Sequence, residues 1–330
     1  MKSSNLPINI GIIGLGHIGK YHIQALSQFT ELKLVGACDL NPQLSQLLPS
    51  QATFYQEATP LLSDPKIDTV IIATPNDTHF ELANLAFEAG KNVILEKPAA
   101  SNFEEFQTLD ARFRQSQQLH IYYAFHAAKA FDVSWFQQYY NQSKNQQRLG
   151  SITAFACHFY DPYVHQGKLQ SEAKSLGNSW IDSGVNALSV LSEFLNLNQF
   201  YSLLTTLTPE ATTGIPIQGL VQYQFPVRNF SIGGLGCINT NWTLGLNRKE
   251  TWLAFGETGY QVKLDHSQQK VLETQPNGEV ILLQDCSQGR DRLLNHYLGV
   301  FRDYIDCINK NQFNHLQSTA IHRLLFLFNI

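Results

Sequence analysis

Short apolar runs alternate with amphipathic stretches through the first 125 residues. INIGIIG at 8–14 and the runs 32–38, 53–55, 69–73, 93–95 and 120–124 have strand character and strand length. A helix opens straight after the first run, and residues 44–48, 79–89 and 103–117 also read as helices. Strands that are apolar on both faces belong in a sheet covered on both sides, so a mostly parallel, doubly wound sheet is expected. After residue 125 the rhythm changes. An aromatic-rich helical segment covers 128–141, and a long strand begins within 149–162. Extended runs follow at 201–207, 219–225, 230–239, 251–255, 261–264 and 280–283, separated by turn signals such as Pro276-Asn277-Gly278. They predict an open, largely antiparallel sheet with one face against helices. Residues 290–309 and 319–328 read as closing helices. The expected organisation is an α/β domain over 1–125 followed by an α+β domain over 126–330. No internal repeat interrupts it.

Composition narrows the function classes. A chain of 330 residues with 43% hydrophobic content can build two cores. The net charge is −4 without long runs of one sign, which offers nothing to nucleic acid or to an anionic membrane. No run approaches the roughly 18 apolar residues of a membrane span. The five cysteines form no C-x-x-C and are odd in number, as free thiols in a reducing compartment would be. MKSSNLPINI lacks the apolar core and cleavage site of a signal peptide, so a cytoplasmic location is expected. The 11 histidines form no ligand cluster, and no metal is expected.

The first strand-to-helix junction carries Gly14-x-Gly16-x-x-Gly19. The first glycine permits a tight turn, the second lets backbone approach a pyrophosphate, and the third lets helix and strand pack closely. His17 and Ile18 open the helix, whose free N–H groups would face the phosphates. Asp39 ends the second strand twenty residues past Gly19, where an acid accepts hydrogen bonds from ribose. These features define a Rossmann-type dinucleotide site. An acid at 39, followed by Leu40 and Asn41, disfavours a 2′-phosphate. NAD is therefore expected over NADP, with NADP open should a nearby Lys or Arg compensate. Ligands in such sheets lie at carboxyl ends of strands. Two of these ends carry further candidates: Thr74, Pro75, Asn76 and His79 in ATPNDTH, and Glu96 and Lys97 in ILEKPAA.

In the second half, WIDSGVNALSV at 180–190 reads as a helix bearing Asp182 and Asn186 on one face. Asp182 suits a first turn for electrostatic reasons alone. Asn186 can orient a hydroxyl but cannot take a proton. Trp180, Tyr160 and Tyr163 are candidates for sugar contact, and His126 follows the sixth strand.

GIIGLGHIG, ATPNDTH and EKP, in this order and spacing, resemble the Gfo/Idh/MocA oxidoreductases over nearly the whole chain. The resemblance implies that Lys97 lies near nicotinamide and substrate and that Pro98 follows a cis peptide. Many members carry D-x-G-x-H where this chain has Asp182-x-Gly184-x-Asn186. The variant with Asn, together with Phe125-His126, resembles the branch of L-arabinose and D-galactose 1-dehydrogenases. It implies oxidation of an aldopyranose at C1 to the lactone, with Lys97, Asp182 and Asn186 catalytic. His126, Trp180, Tyr160 and Tyr163 would bind the sugar. A dimer or tetramer is implied by resemblance alone. Two other readings stand beside it: an inositol or polyol dehydrogenase of the same family, and a non-catalytic NAD(H)-binding regulator, since fold alone does not give function.

Overall fold

The computed structural model describes residues 7–228 and 230–328. The chain divides into two compact units. Among the described residues, one holds those up to Phe125 together with Tyr297–Phe326; the other holds His126–His296 with Leu327 and Phe328. The sequence pattern suggested a second domain unbroken from 126 to the end. The last helices instead cluster with the first unit, because their apolar faces pack on its elements: His322 stacks on Phe106 with centroids 4.0 Å apart.

In the first unit β1 (Ile8–Ile13), β2 (Leu32–Cys38), β3 (Thr53–Tyr55), β4 (Thr69–Ile72), β5 (Asn92–Glu96) and β6 (Ile121–Ala124) form one parallel sheet. Its order is β3-β2-β1-β4-β5-β6. The order reverses between β1 and β4, so the loops at their carboxyl ends diverge and leave a crevice. The helices are α1 (His17–Leu26), α2 (Ala58–Leu62), α3 (His79–Glu88) and α4 (Phe103–Gln115). Residues 42–47 form a 3₁₀ turn in place of the expected helix. Pro42 starts it and the Asn41 side chain accepts the Gln43 N–H, which favours a short turn over a long helix.

The second unit begins with α5 (Phe131–Tyr140) and α6 (Ser143–Leu149), then β7 (Ala154–Tyr160) and the short hairpin β8 (Val164–His165) and β9 (Lys168–Leu169). After α7 (Val185–Leu191) come β10 (Tyr201–Pro209), β11 (Pro216–Val227), β12 (Phe230–Asn241), β13 (Arg248–Phe255), β14 (Tyr260–Asp265), β15 (Lys270–Thr274) and β16 (Val280–Asp285). The large sheet runs β10-β11-β12-β7-β13-β14-β15-β16. It is antiparallel except where β12 pairs with β7. On β7, Phe155, Cys157 and Phe159 are buried while Ala154, Ala156 and His158 alternate with them on the other face. The chain closes with α8 (Arg292–Lys310) and α9 (His315–Leu325). No described helix is long and apolar enough to cross a membrane.

Candidate active site

In the first unit the three glycines differ in what surrounds them. Gly14 has φ +95°, and a Cβ there would sit 2.5 Å from the Ala73 carbonyl oxygen and 3.1 Å from Thr74 Cγ2. A Cβ on Gly19 would lie 2.2 Å from the Gly14 carbonyl oxygen. Around Gly16 a Cβ would meet nothing within 4 Å. The first and third glycines are therefore demanded by the protein's own packing, whereas the second faces open space. His17 beside it is exposed and Ile18 half-buried. The start of α1 has no side-chain cap and no acid in its first turn, so its N–H groups and positive dipole are left for an external anion. By contrast α4 is capped by Asn102 and carries Glu104 and Glu105 in its first turn.

Asp39 ties this loop to β2. One carboxylate oxygen accepts the Leu15 N–H at 2.7 Å, the other the Asn41 N–H at 2.9 Å. A carboxylate offers about four lone-pair sites, so acceptor capacity remains for two ribose hydroxyls. Leu40 beside it is 86% exposed and supplies no positive charge. The geometry fits a dinucleotide.

Two residues expected at the cofactor act as braces. His79 is fully buried, with Nδ1 2.7 Å from the Pro98 carbonyl and Nε2 2.9 Å from the Thr74 carbonyl. It joins the loop after β4 to the cis Lys97–Pro98 peptide after β5 and has no surface left for a ligand. Burial lowers its pKa, against the two carbonyls that raise it. Glu96 is also buried: Oε1 meets His22 Nε2 at 2.9 Å and accepts the Tyr297 O–H at 2.8 Å, and Oε2 accepts the Lys97 N–H at 3.3 Å. Glu96 thus fixes the backbone at Lys97. Tyr297 was not foreseen, because it lies 201 residues away in sequence. Thr74 bonds Thr78 Oγ1 at 2.7 Å, while Pro75 is exposed and Asn76 and Lys97 are half-buried.

In the second unit, residues 180–184 form a π-helical turn that runs into α7. Such turns are rare and frequent at functional sites. The turn carries Asp182, which is buried, and Ser183. The Asn186 side chain donates to the Asp182 backbone carbonyl at 3.2 Å. Its Oδ1 is buried without a hydrogen-bond partner. Flipping the amide would set oxygen against carbonyl oxygen, so Asn186 presents a lone acceptor, a costly arrangement unless a donor fills it.

Around this turn the structure gathers Asp161, which directly follows β7, and Lys249, to which local sequence did not point. Asp161 accepts from Lys249 Nζ at 2.5 Å through one oxygen and from Ser183 Oγ at 3.1 Å through the other. Lys249 also donates to the Tyr160 carbonyl and to Asn247 Oδ1. Burial pulls the Lys249 ammonium below its ordinary value, although Asp161 opposes this. Burial and the charges of Asp182 and Asp161 raise the Tyr163 phenol, while Arg292 works against them. The Tyr163 phenol therefore lies within electrostatic reach of Asp182 and Asp161. The R-K-E run at 248–250 was the available signal for Lys249, but only strand register shows which of the three stands on the face of Phe159: Lys249 pairs with it.

Two expected sugar contacts do not join the cluster. The Tyr160 side chain lies on the other face of the sheet, with its O–H against His158 Nδ1 at 2.9 Å and Arg248 over its ring. Side chains alternate along a strand, so Tyr160 reaches the cluster only through its carbonyl. Trp180 is 0% exposed and its ring fills the space beside Gly184, where a Cβ would come within 2.7 Å. No ring face is left to stack on a sugar. His126 is buried and its Nδ1 lies 3.0 Å from Nδ1 of His296. No group of three or more His, Cys, Asp or Glu among the described residues is arranged to hold a metal.

The first unit is thus a dinucleotide-binding α/β domain in both topology and glycine geometry. Residues 8–124 match the family model GFO_IDH_MocA, described as the oxidoreductase family, NAD-binding Rossmann fold. The chain is 32% identical over 96 residues to an inositol 2-dehydrogenase/D-chiro-inositol 3-dehydrogenase of Lactiplantibacillus plantarum, covering 28% of this chain and 27% of that protein. It is 31% identical over 118 residues to a UDP-N-acetylglucosamine 3-dehydrogenase of Acidithiobacillus ferrooxidans, covering 35% and 36%. The chain thus spans roughly a third of the length of the curated relatives it matches. Similarity of fold extends further. The crystal structure of GenD2 from gentamicin A biosynthesis in complex with NAD superposes with a TM-score of 0.78 over 97% of this chain and 92% of that one, at 17% identity.

Proposed function

We propose that this protein is an NAD(P)-dependent oxidoreductase acting on a CH–OH group of a sugar, an aldopyranose oxidised at C1 to its lactone. The observation that carries the reading is the pair of an acid and an amide with an unsatisfied buried acceptor, Asp182 and Asn186, in the second unit. A hydroxyl-rich ligand supplies the donor that Asn186 Oδ1 lacks. Bound nicotinamide supplies the hydride acceptor. Asp182 takes the proton of the C1 hydroxyl, which is more acidic than that of an ordinary secondary alcohol, so no histidine is needed at 186. Asn186 orients the hydroxyl. Lys97, held from behind by Glu96, offsets oxyanion charge as it develops. Tyr163 and His126 contact the sugar. Asp39 favours NAD. Polyol oxidation is the second reading, favoured by the similarity to an inositol dehydrogenase.

The test is reduced-nicotinamide absorbance with a panel of aldoses and polyols, each with NAD and with NADP. Signal with L-arabinose or D-galactose and little with inositol is expected; the reverse pattern moves the reading to a polyol. Lys97→Ala and Asp182→Ala should keep NAD binding and lose turnover. Unchanged turnover would remove their assigned roles.

A further inference from the structure

His126 follows β6 and His296 sits on α8, far apart in sequence but both in the second unit. Their rings lie nearly parallel, at 27°, and their Nδ1 atoms are 3.0 Å apart. One Nδ1 must carry the hydrogen and the other must accept it. The choice is made at the far side of His296, where Nε2 is buried with no hydrogen-bond partner among the described residues. If His126 were the donor, neutral His296 would have to keep its proton on Nε2 and bury an unpaired N–H. If His296 is the donor, only a bare lone pair is buried there. Orphaned buried N–H groups are the rarer case, because a donor has a single direction to satisfy. A charged His296 would bury both an unpaired N–H and a net charge. Its full burial and the cations Arg292 and Lys249 oppose that.

We propose that His296 is a positioning residue that locks His126 in the Nε2–H tautomer, so that His126 meets the substrate as a hydrogen-bond donor and does not act as the base. The tautomer follows from this geometry alone; the substrate contact rests on the sugar-oxidising reading above. A donor here is matched by a sugar oxygen, while Asn186 Oδ1 is matched by a sugar hydroxyl hydrogen. The two residues therefore read opposite ends of hydroxyl dipoles, which selects by hydroxyl orientation. It also leaves the proton acceptor to Asp182.

The experiment uses the full chain labelled with ¹⁵N-histidine. Long-range ¹H–¹⁵N spectra distinguish protonated from bare ring nitrogens, with assignment by His126→Gln and His296→Asn. The expected result at neutral pH is His126 protonated on Nε2 alone and His296 on Nδ1 alone. A proton on His126 Nδ1, or an imidazolium at either residue, overturns the proposal. In turnover, His296→Leu should raise KM for whichever of L-arabinose or D-galactose is accepted by about tenfold, with a much smaller change in kcat. His296→Asn, which returns an N–H opposite His126 Nδ1, should restore KM. A fall in kcat with KM unchanged would overturn the donor role. If no panel sugar is oxidised, the sugar-oxidising reading fails, while the spectra still decide the tautomers. The spectra of the unaltered protein do so even if a variant fails to fold.

Discussion

Alanine at Gly16 and at Gly19 should have opposite consequences. At Gly19 the new Cβ would stand 2.2 Å from the Gly14 carbonyl oxygen, inside the 3.0 Å that real Cβ contacts observe. Helix α1 or the loop must move by roughly 0.8 Å, the difference between those two values. Forcing one carbon into a packed contact costs ~1–3 kcal/mol. Thermal unfolding of the first unit should fall by several degrees. At Gly16 nothing lies within 4 Å, and φ is −64°, which alanine adopts freely. Stability should be unchanged, or rise by up to ~1 kcal/mol because the unfolded chain loses freedom. Yet the same methyl stands where a pyrophosphate oxygen must come to about 2.9 Å of a backbone N–H. Losing one such charge-assisted bond costs ~1.5–3 kcal/mol, about ten- to a hundredfold in Kd. Calorimetric titration with NAD and thermal unfolding of both variants decide it. Wild-type NAD affinity in Gly16→Ala would show that the open space does not receive the pyrophosphate. An unchanged Tm in Gly19→Ala would refute the packing argument.

Three other outcomes are expected. Asp39→Ser should reduce the preference for NAD over NADP about tenfold or more, measured as the ratio of Kd values, because a carboxylate no longer opposes the 2′-phosphate. His322 donates from Nδ1 to the Ser318 carbonyl and accepts the Ala99 N–H on Nε2, and burial depresses its pKa from 6.5 to about 4. The unfolded chain therefore takes up the proton first, and stability is lost as pH falls from about 6.5 towards 4, by on the order of 3 kcal/mol from this residue; denaturant titrations should show a smaller acid-side loss in His322→Leu. Lys249→Met leaves Asp161 buried without its cation and should cost ~3–5 kcal/mol in the second unit, with Asp161→Asn in the same chain recovering part of it; no recovery would show that the pair is not coupled.

Local pattern was enough for the first unit. Strand periodicity, the glycine spacing and an acid twenty residues beyond Gly19 depend on contacts within one β-α-β segment, so the chain itself displays them. The three glycine roles were legible for the same reason: each follows from backbone geometry at a strand-to-helix turn. The acid and amide of 180–190 were visible too, but not the π turn beneath them, which depends on packing of that segment against the sheet. Register then decided what spacing could not. It turned Lys249 to the face of Phe159 and the Tyr160 ring to the opposite face, while packing beside Gly184 gave Trp180 no open side. His79 and Glu96, placed at the cofactor by their position in motifs, became braces because their partners, Pro98, His22 and Tyr297, are distant in sequence. The sequence by itself determined the class of fold and the dinucleotide cradle, since both are written in short-range pattern. Only tertiary structure decided which polar side chains are buried together and which face of the sheet each occupies, because burial and strand register join residues that no local pattern connects.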